Sequence, residues 1–159
     1  MVQVYMRGLM KNLKQVLEYL NTVPNINAGG CGVSALAVLR WARANDEELL
    51  DDAILTGLYN FSGAYNANCK VIRDEKGVAQ VPSHFAWCFN HDYYDSNGVM
   101  KISRFPYVQH IPLKHAEEFL LNALNSANNG WNNDFSRNLH IEDIEANLGI
   151  NLSDVELRI

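Results

Sequence analysis

At 159 residues and 18.0 kDa the chain has the length of one ordinary domain and falls short of two. Apolar residues make up 48% and charged residues 19%, which excludes a disordered or solvating protein. A net charge of −5 argues against a nucleic-acid groove or an anionic membrane surface as partner, and no apolar run approaches the ~18 residues of a membrane span. Residues Met1 to Arg7 lack the charged start, apolar stretch and cleavage site of a secretory signal, so a cytoplasmic location is expected. The three cysteines, Cys31, Cys69 and Cys88, cannot all pair within one chain. With neither Cys-x-x-Cys nor His-Glu-x-x-His present, free thiols, no metal and no cofactor are expected.

The first twenty residues read as a helix, with Leu9, Leu13, Val16, Leu17 and Leu20 at three- and four-residue spacing. Pro24 breaks that pattern. A turn over Asn27 to Gly30 leads into Cys31 to Trp41, an Ala/Leu-rich run that describes a buried helix. A third helix is predicted from Asp46 to Leu58, its acidic start complementing the helix dipole. Short extended pieces follow between Val71 and Val81, with Asp74 to Gly77 as a turn. His84 to Phe89 and Tyr93 to Asp95 are rich in strand-forming aromatics, joined by a tight connection at Asn90 to Asp92. A second turn falls at Asp95 to Gly98, and Val99 to Ile111 reads as extended. Helical pattern returns from Pro112 to Ala127 and from Ile141 to Leu148, the latter ending at Gly149. The expected fold is a single α+β domain over residues 1–159: helices first, a small antiparallel sheet, helices last.

Cys31 stands where a glycine-rich turn enters an apolar helix. Free N–H groups of a first helical turn point at such a sulfur and favour thiolate, the nucleophilic form. Gly29, Gly30 and Gly32 are expected to leave the sulfur uncluttered for a substrate carbonyl. His84 opens a strand. If Asn90 and His91 form a two-residue turn, His84 shares a sheet face with Ala86, Cys88, Tyr93 and Asp95, and Asp95 lies diagonally opposite it. A carboxylate there fixes the imidazole tautomer that takes a proton from cysteine. A one-residue slip would put Asp95 on the other face. The competing roles are a packed cysteine, a core histidine, and an aspartate that starts the turn over Ser96 to Gly98.

A cysteine at a helix start, a histidine at a strand start and an acid eleven residues later resemble the papain-like cysteine-dependent hydrolase superfamily. Gly30 to Arg40 and Ser83 to Trp87 are similar to its transglutaminase-like branch. The resemblance spans roughly residues 25 to 100, and no branch is assigned because the flanks of Cys31 match neither the papain signature nor the cell-wall peptidase one. It implies a papain-like fold and a Cys31–His84–Asp95 triad. It also implies a polar side chain shortly before the cysteine that completes an oxyanion hole, with Asn25 and Asn27 as candidates. The activity implied is that of a cysteine peptidase or amidase acting on a protein or peptide, without nucleic acid or membrane as partner. Acyl transfer by the same triad is an alternative.

Two other readings compete. Cys88-x-x-His91 with His84, Asp92 and Asp95 nearby suggests zinc, but a strand-face cysteine and a turn-tip histidine do not converge tetrahedrally. Trp131, Phe135, Ile141, Ile144 and Leu148 make either a partner-binding helical face of a non-catalytic module or one side of the core. The acidic surface favours basic or neutral partners through long-range attraction.

Overall fold

A computed structural model describes residues 10–27, 30–60, 72–77, 79–126 and 134–155. Helix α1 spans Leu13–Leu20 and buries Val16, Leu17 and Leu20. It begins at Leu13 because Asn12 and Gln15 cap it from both directions. The Asn12 side chain accepts from the Gln15 N–H at 2.9 Å, and the Lys11 N–H donates to Gln15 Oε1 at 2.6 Å. Residues 10–12 are therefore outside the helix expected there, and residues 1–9 lie outside the described residues. Helix α2, Cys31–Asn45, buries every residue from Gly32 to Leu39 together with Trp41 and Ala42, as its composition predicts.

The helix predicted over Asp46 to Leu58 does not form. Only Glu47–Leu50 make a 3-10 turn; Asp52 then takes a left-handed backbone (φ 59°), and Ile54–Tyr59 are strand β1. Leu55 to Tyr59 are buried without alternation, because β1 is the second strand from one edge of a covered sheet. A strand buried on both faces has an unbroken apolar run and no period to tell it from a helix.

Strands β2 (Ile72–Arg73) and β3 (Ala79–Gln80) form a separate hairpin around the expected turn, where the Gly77 N–H donates to the Asp74 carbonyl at 2.9 Å. Strands β4 (His84–Phe89), β5 (Asp92–Asp95), β6 (Gly98–Met100) and β7 (Tyr107–Pro112) join β1 in an antiparallel sheet of order β6-β5-β4-β1-β7. The stretch from Val99 to Ile111 is thus two strands separated by a 3-10 turn at Ile102–Arg104, not one extended run.

Helix α3 (Leu113–Ser126) starts directly after Pro112. Helix α4 (Asp134–Leu148) is longer than the Ile141 to Leu148 predicted and ends at Gly149, whose φ of 66° suits a helix terminus. The core lies between the helices and one sheet face, where Leu55, Phe85, Trp87, Phe89 and Ile111 meet α2 and α3. Trp87 Nε1 donates to the Ala35 carbonyl at 2.9 Å, pinning β4 against α2. Ile141, Ile144 and Leu148 are buried in this same core; Trp131 lies outside the described residues, as do Gly29 and Cys69. Arg40 of α2 grips the segment after α4 with a bidentate pair to Asp154 (2.6 Å each) and a bond to the Asn151 carbonyl at 2.7 Å. Among the described residues no helix is long and apolar enough to cross a membrane.

Candidate active site

Cys31 is the first residue of α2, half-buried, with a free thiol. Helix geometry begins at once: the Ser34 N–H donates to the Gly30 carbonyl at 3.0 Å, so the N–H groups of Cys31 and its neighbours are left at the helix end. The glycines around it serve packing rather than an open approach. A Cβ on Gly30 would sit 2.7 Å from the Ile26 carbonyl oxygen, and one on Gly32 would sit 2.8 Å from Leu124 Cδ2. Gly30 lets the preceding turn fold back tightly on the helix start, and Gly32 lets α3 close on α2.

His84 is the first residue of β4. The β4–β5 connection is the two-residue turn that the triad requires: Asn90 (φ 50°) and His91 (φ 71°) both take the left-handed backbone of a type I′ turn. The resulting register pairs Trp87 with Tyr94 and Cys88 with Tyr93, which puts Asp95 diagonally across from His84. The contact is made, with His84 Nε2 and Asp95 Oδ2 2.9 Å apart. The two residues are 7% and 8% exposed, so water competes little for the bond. Asp95 fills both of the roles that its sequence context suggests. Its Oδ1 accepts from the Asn97 N–H at 2.8 Å and starts the turn, while Oδ2 holds the imidazole.

The Cys31 side chain also acts on the His84 ring, and its influence favours the charged imidazole. With Nε2 on Asp95, Nδ1 is the ring nitrogen that remains for the sulfur. Burial works against a charged His84, but the bond to Asp95, the influence of Cys31 and the charges of both outweigh it, and its pKa is pushed up to about 9. Burial likewise opposes the Asp95 carboxylate. The His84 bond, the Asn97 N–H and the charges of His84 and Arg104 prevail and hold its pKa below the ordinary value. The pair is therefore set up to carry opposite charges.

Asn27 Nδ2 donates to Ser96 Oγ at 2.6 Å, and Ser96 Oγ donates on to Asn21 Oδ1 at 3.4 Å. This chain ties the segment before α2 to the turn that carries Asp95. Asn27, Cys31, Ser34 and Asp95 all line a cavity of about 10 Å³, the room of roughly one water. Asn25 stands apart from that lining, exposed and with a left-handed backbone (φ 61°).

Ser96, Phe105 and Arg104 belong to the site although the sequence reading did not single them out. The Phe105 ring lies parallel to that of His84, 6.1 Å between centroids and 3° between planes. The Arg104 guanidinium carbon sits over the other ring, 5.1 Å from the Phe105 centroid. The available signal was Phe105-Pro106: proline confines the preceding residue to extended backbone and gives no ladder donor, so β7 cannot begin earlier. Cys88 and His91 sit, as expected, on a strand and at a turn tip. Among the described residues no cluster of three or more His, Cys, Asp or Glu forms a metal site.

No family model matches this chain, and neither curated proteins nor solved structures provide a match.

Proposed function

We propose that this chain is a cysteine-dependent hydrolase of papain-like arrangement that cleaves an amide or peptide bond through an acyl-enzyme on Cys31. The observation that carries the reading is a single imidazole, His84, held by a buried carboxylate at 2.9 Å and with its charge favoured by the thiol of Cys31 at a helix N-terminus. Helix-start cysteine, base and orienting acid recur in this geometry because each solves one part of the problem.

In the first half-reaction the Cys31 sulfur attacks the carbonyl carbon, with the proton it gave up already resident on His84. The oxyanion that forms is met by the N–H of Cys31 and the side-chain amide of Asn27. His84 then gives its proton to the leaving nitrogen, the C–N bond breaks and a thioester remains on Cys31. In the second half-reaction His84 takes a proton from water as its oxygen attacks the thioester carbon. The C–S bond breaks, the acid departs, and the proton taken from water stays on His84, which restores the starting state. Asp95 keeps Nε2 engaged throughout and stabilises the imidazolium. An amine in place of water gives acyl transfer by the same steps.

Thiol titration at mildly acidic pH tests the reading without a substrate. One of the three cysteines, identified as Cys31 by peptide mapping, is expected to react with iodoacetamide faster than free glutathione does, and His84→Ala to abolish that advantage. On any substrate turned over, Cys31→Ala and His84→Ala are expected to lose activity by similar factors, since a nucleophile and its base act as a unit. Retained activity in Cys31→Ala would overturn the proposal.

A further inference from the structure

The layer beyond His84 carries an assembly to which the proposed reaction gives no role in bond breaking. Phe105 stacks on the imidazole, and Arg104 holds its guanidinium against the Phe105 ring. Arg104 is exposed, and among the described residues it forms no ion pair. That sets it apart from Arg40 and Arg43, which are paired with Glu117, Arg40 also with Asp154. The carboxylate whose charge it feels, Asp95, has its oxygens engaged by His84 and Asn97. A guanidinium fixed by cation–π contact at one face keeps its N–H edges free for a planar, two-oxygen acceptor.

Resting on the hydrolase reading above, we infer that Arg104 is a substrate-binding residue that selects amides bearing a carboxylate close to the scissile bond, as in an acidic peptide. The position favours this class because Arg104 lies one aromatic ring beyond the imidazole, so an anion docked on it stays at the rim of the same site. The net charge of −5 would turn such a substrate away at long range, in line with the preference for basic or neutral partners that it suggests. Over the last few ångströms the order reverses. Diffuse charge is screened beyond a Debye length of about 8–10 Å, whereas a guanidinium–carboxylate pair at contact is not. Approach is therefore slow and capture local.

Two reagents with the same reactive carbon test it on the intact chain: N-iodoacetylglycine, which carries a carboxylate, and its neutral analogue N-iodoacetylglycinamide. Rates at Cys31 are each divided by the rate with 2-mercaptoethanol, a thiol with no other charged group, which removes intrinsic reactivity without bringing in carboxylates of its own. The normalised ratio of anionic to neutral reagent is expected to exceed one, and to fall by about 3- to 10-fold in Arg104→Gln, the span for two charges a few ångströms apart near a surface. Arg104→Lys, which keeps the charge but not the planar fork, should keep only part of the ratio, and rising salt should lower it in the wild type but hardly in Arg104→Gln. The salt series needs no variant, so it stands if a substitution perturbs folding. A ratio unchanged in Arg104→Gln, with Cys31 still fast toward the neutral reagent, overturns this inference and leaves the hydrolase reading intact. A Cys31 no faster than 2-mercaptoethanol toward either reagent overturns both.

Discussion

Nε2 of His84 and Oδ2 of Asp95 stand 2.9 Å apart inside the protein, with the two groups' pKa values displaced in opposite directions. That displacement makes folding stability depend on pH. His84 is raised from 6.5 to about 9, so its contribution is complete below pH 6.5 and is lost as pH climbs through about 9. Asp95 is lowered from 3.8, so its contribution is complete above that value and is lost as pH falls through its depressed folded-state pKa. The urea midpoint is expected to fall between pH 6.5 and 9.5 in the wild type, and Asp95→Asn to flatten this limb. An alkaline limb of the same slope in Asp95→Asn would show that the pair does not carry it.

Phe105 is a positioning residue for His84. Removing its ring lets the imidazole rotate away from the Cys31–Asp95 line. Phe105→Ala is expected to slow alkylation of Cys31 by a neutral reagent about 10-fold, the scale of a misplaced reacting group. Phe105→Tyr, which keeps the stack, should restore it. A merely structural Phe105 would lower the melting temperature in Phe105→Ala while leaving the alkylation rate of the folded protein unchanged.

Asn27 shares a cavity with Cys31 and is held by Ser96, so the proposed oxyanion hole takes its side-chain donor from Asn27 rather than Asn25. Asn27→Ala is expected to reduce kcat by about 10²–10³, with KM affected far less. The larger loss appearing in Asn25→Ala would move the hole to the other asparagine.

Gly30 has no room for a methyl group, because the Ile26 carbonyl oxygen lies 2.7 Å from where it would sit. The neighbour is backbone and cannot rotate aside. Gly30→Ala should destabilise the fold by about 1–3 kcal/mol, the usual cost of overpacking, read as a lower urea midpoint. By displacing the N-terminus of α2 it should also slow alkylation of Cys31.

Local chemistry in the sequence was enough for the His84–Asp95 geometry, whereas Cys31 reaches it only through the packing of α2. Asn90 and His91 tolerate the left-handed backbone of a two-residue turn, that turn sets one register, and the register puts Asp95 beside His84. The burial of α2 was legible in the same way, from an unbroken Ala/Leu run. Tertiary structure decided the rest. Ile54–Tyr59 became a strand because the sheet and its covering bury both of its faces, and a segment buried all round has no period to display. Gly32, next to Cys31, faces Leu124, a neighbour that only the packed chain brings near. Arg104 and Phe105 stand twenty or more residues from His84 and reach it only once β4 and the turn before β7 are side by side. Contacts within a hairpin follow from the residues between its strands, whereas contacts between distant segments depend on how the whole sheet is assembled.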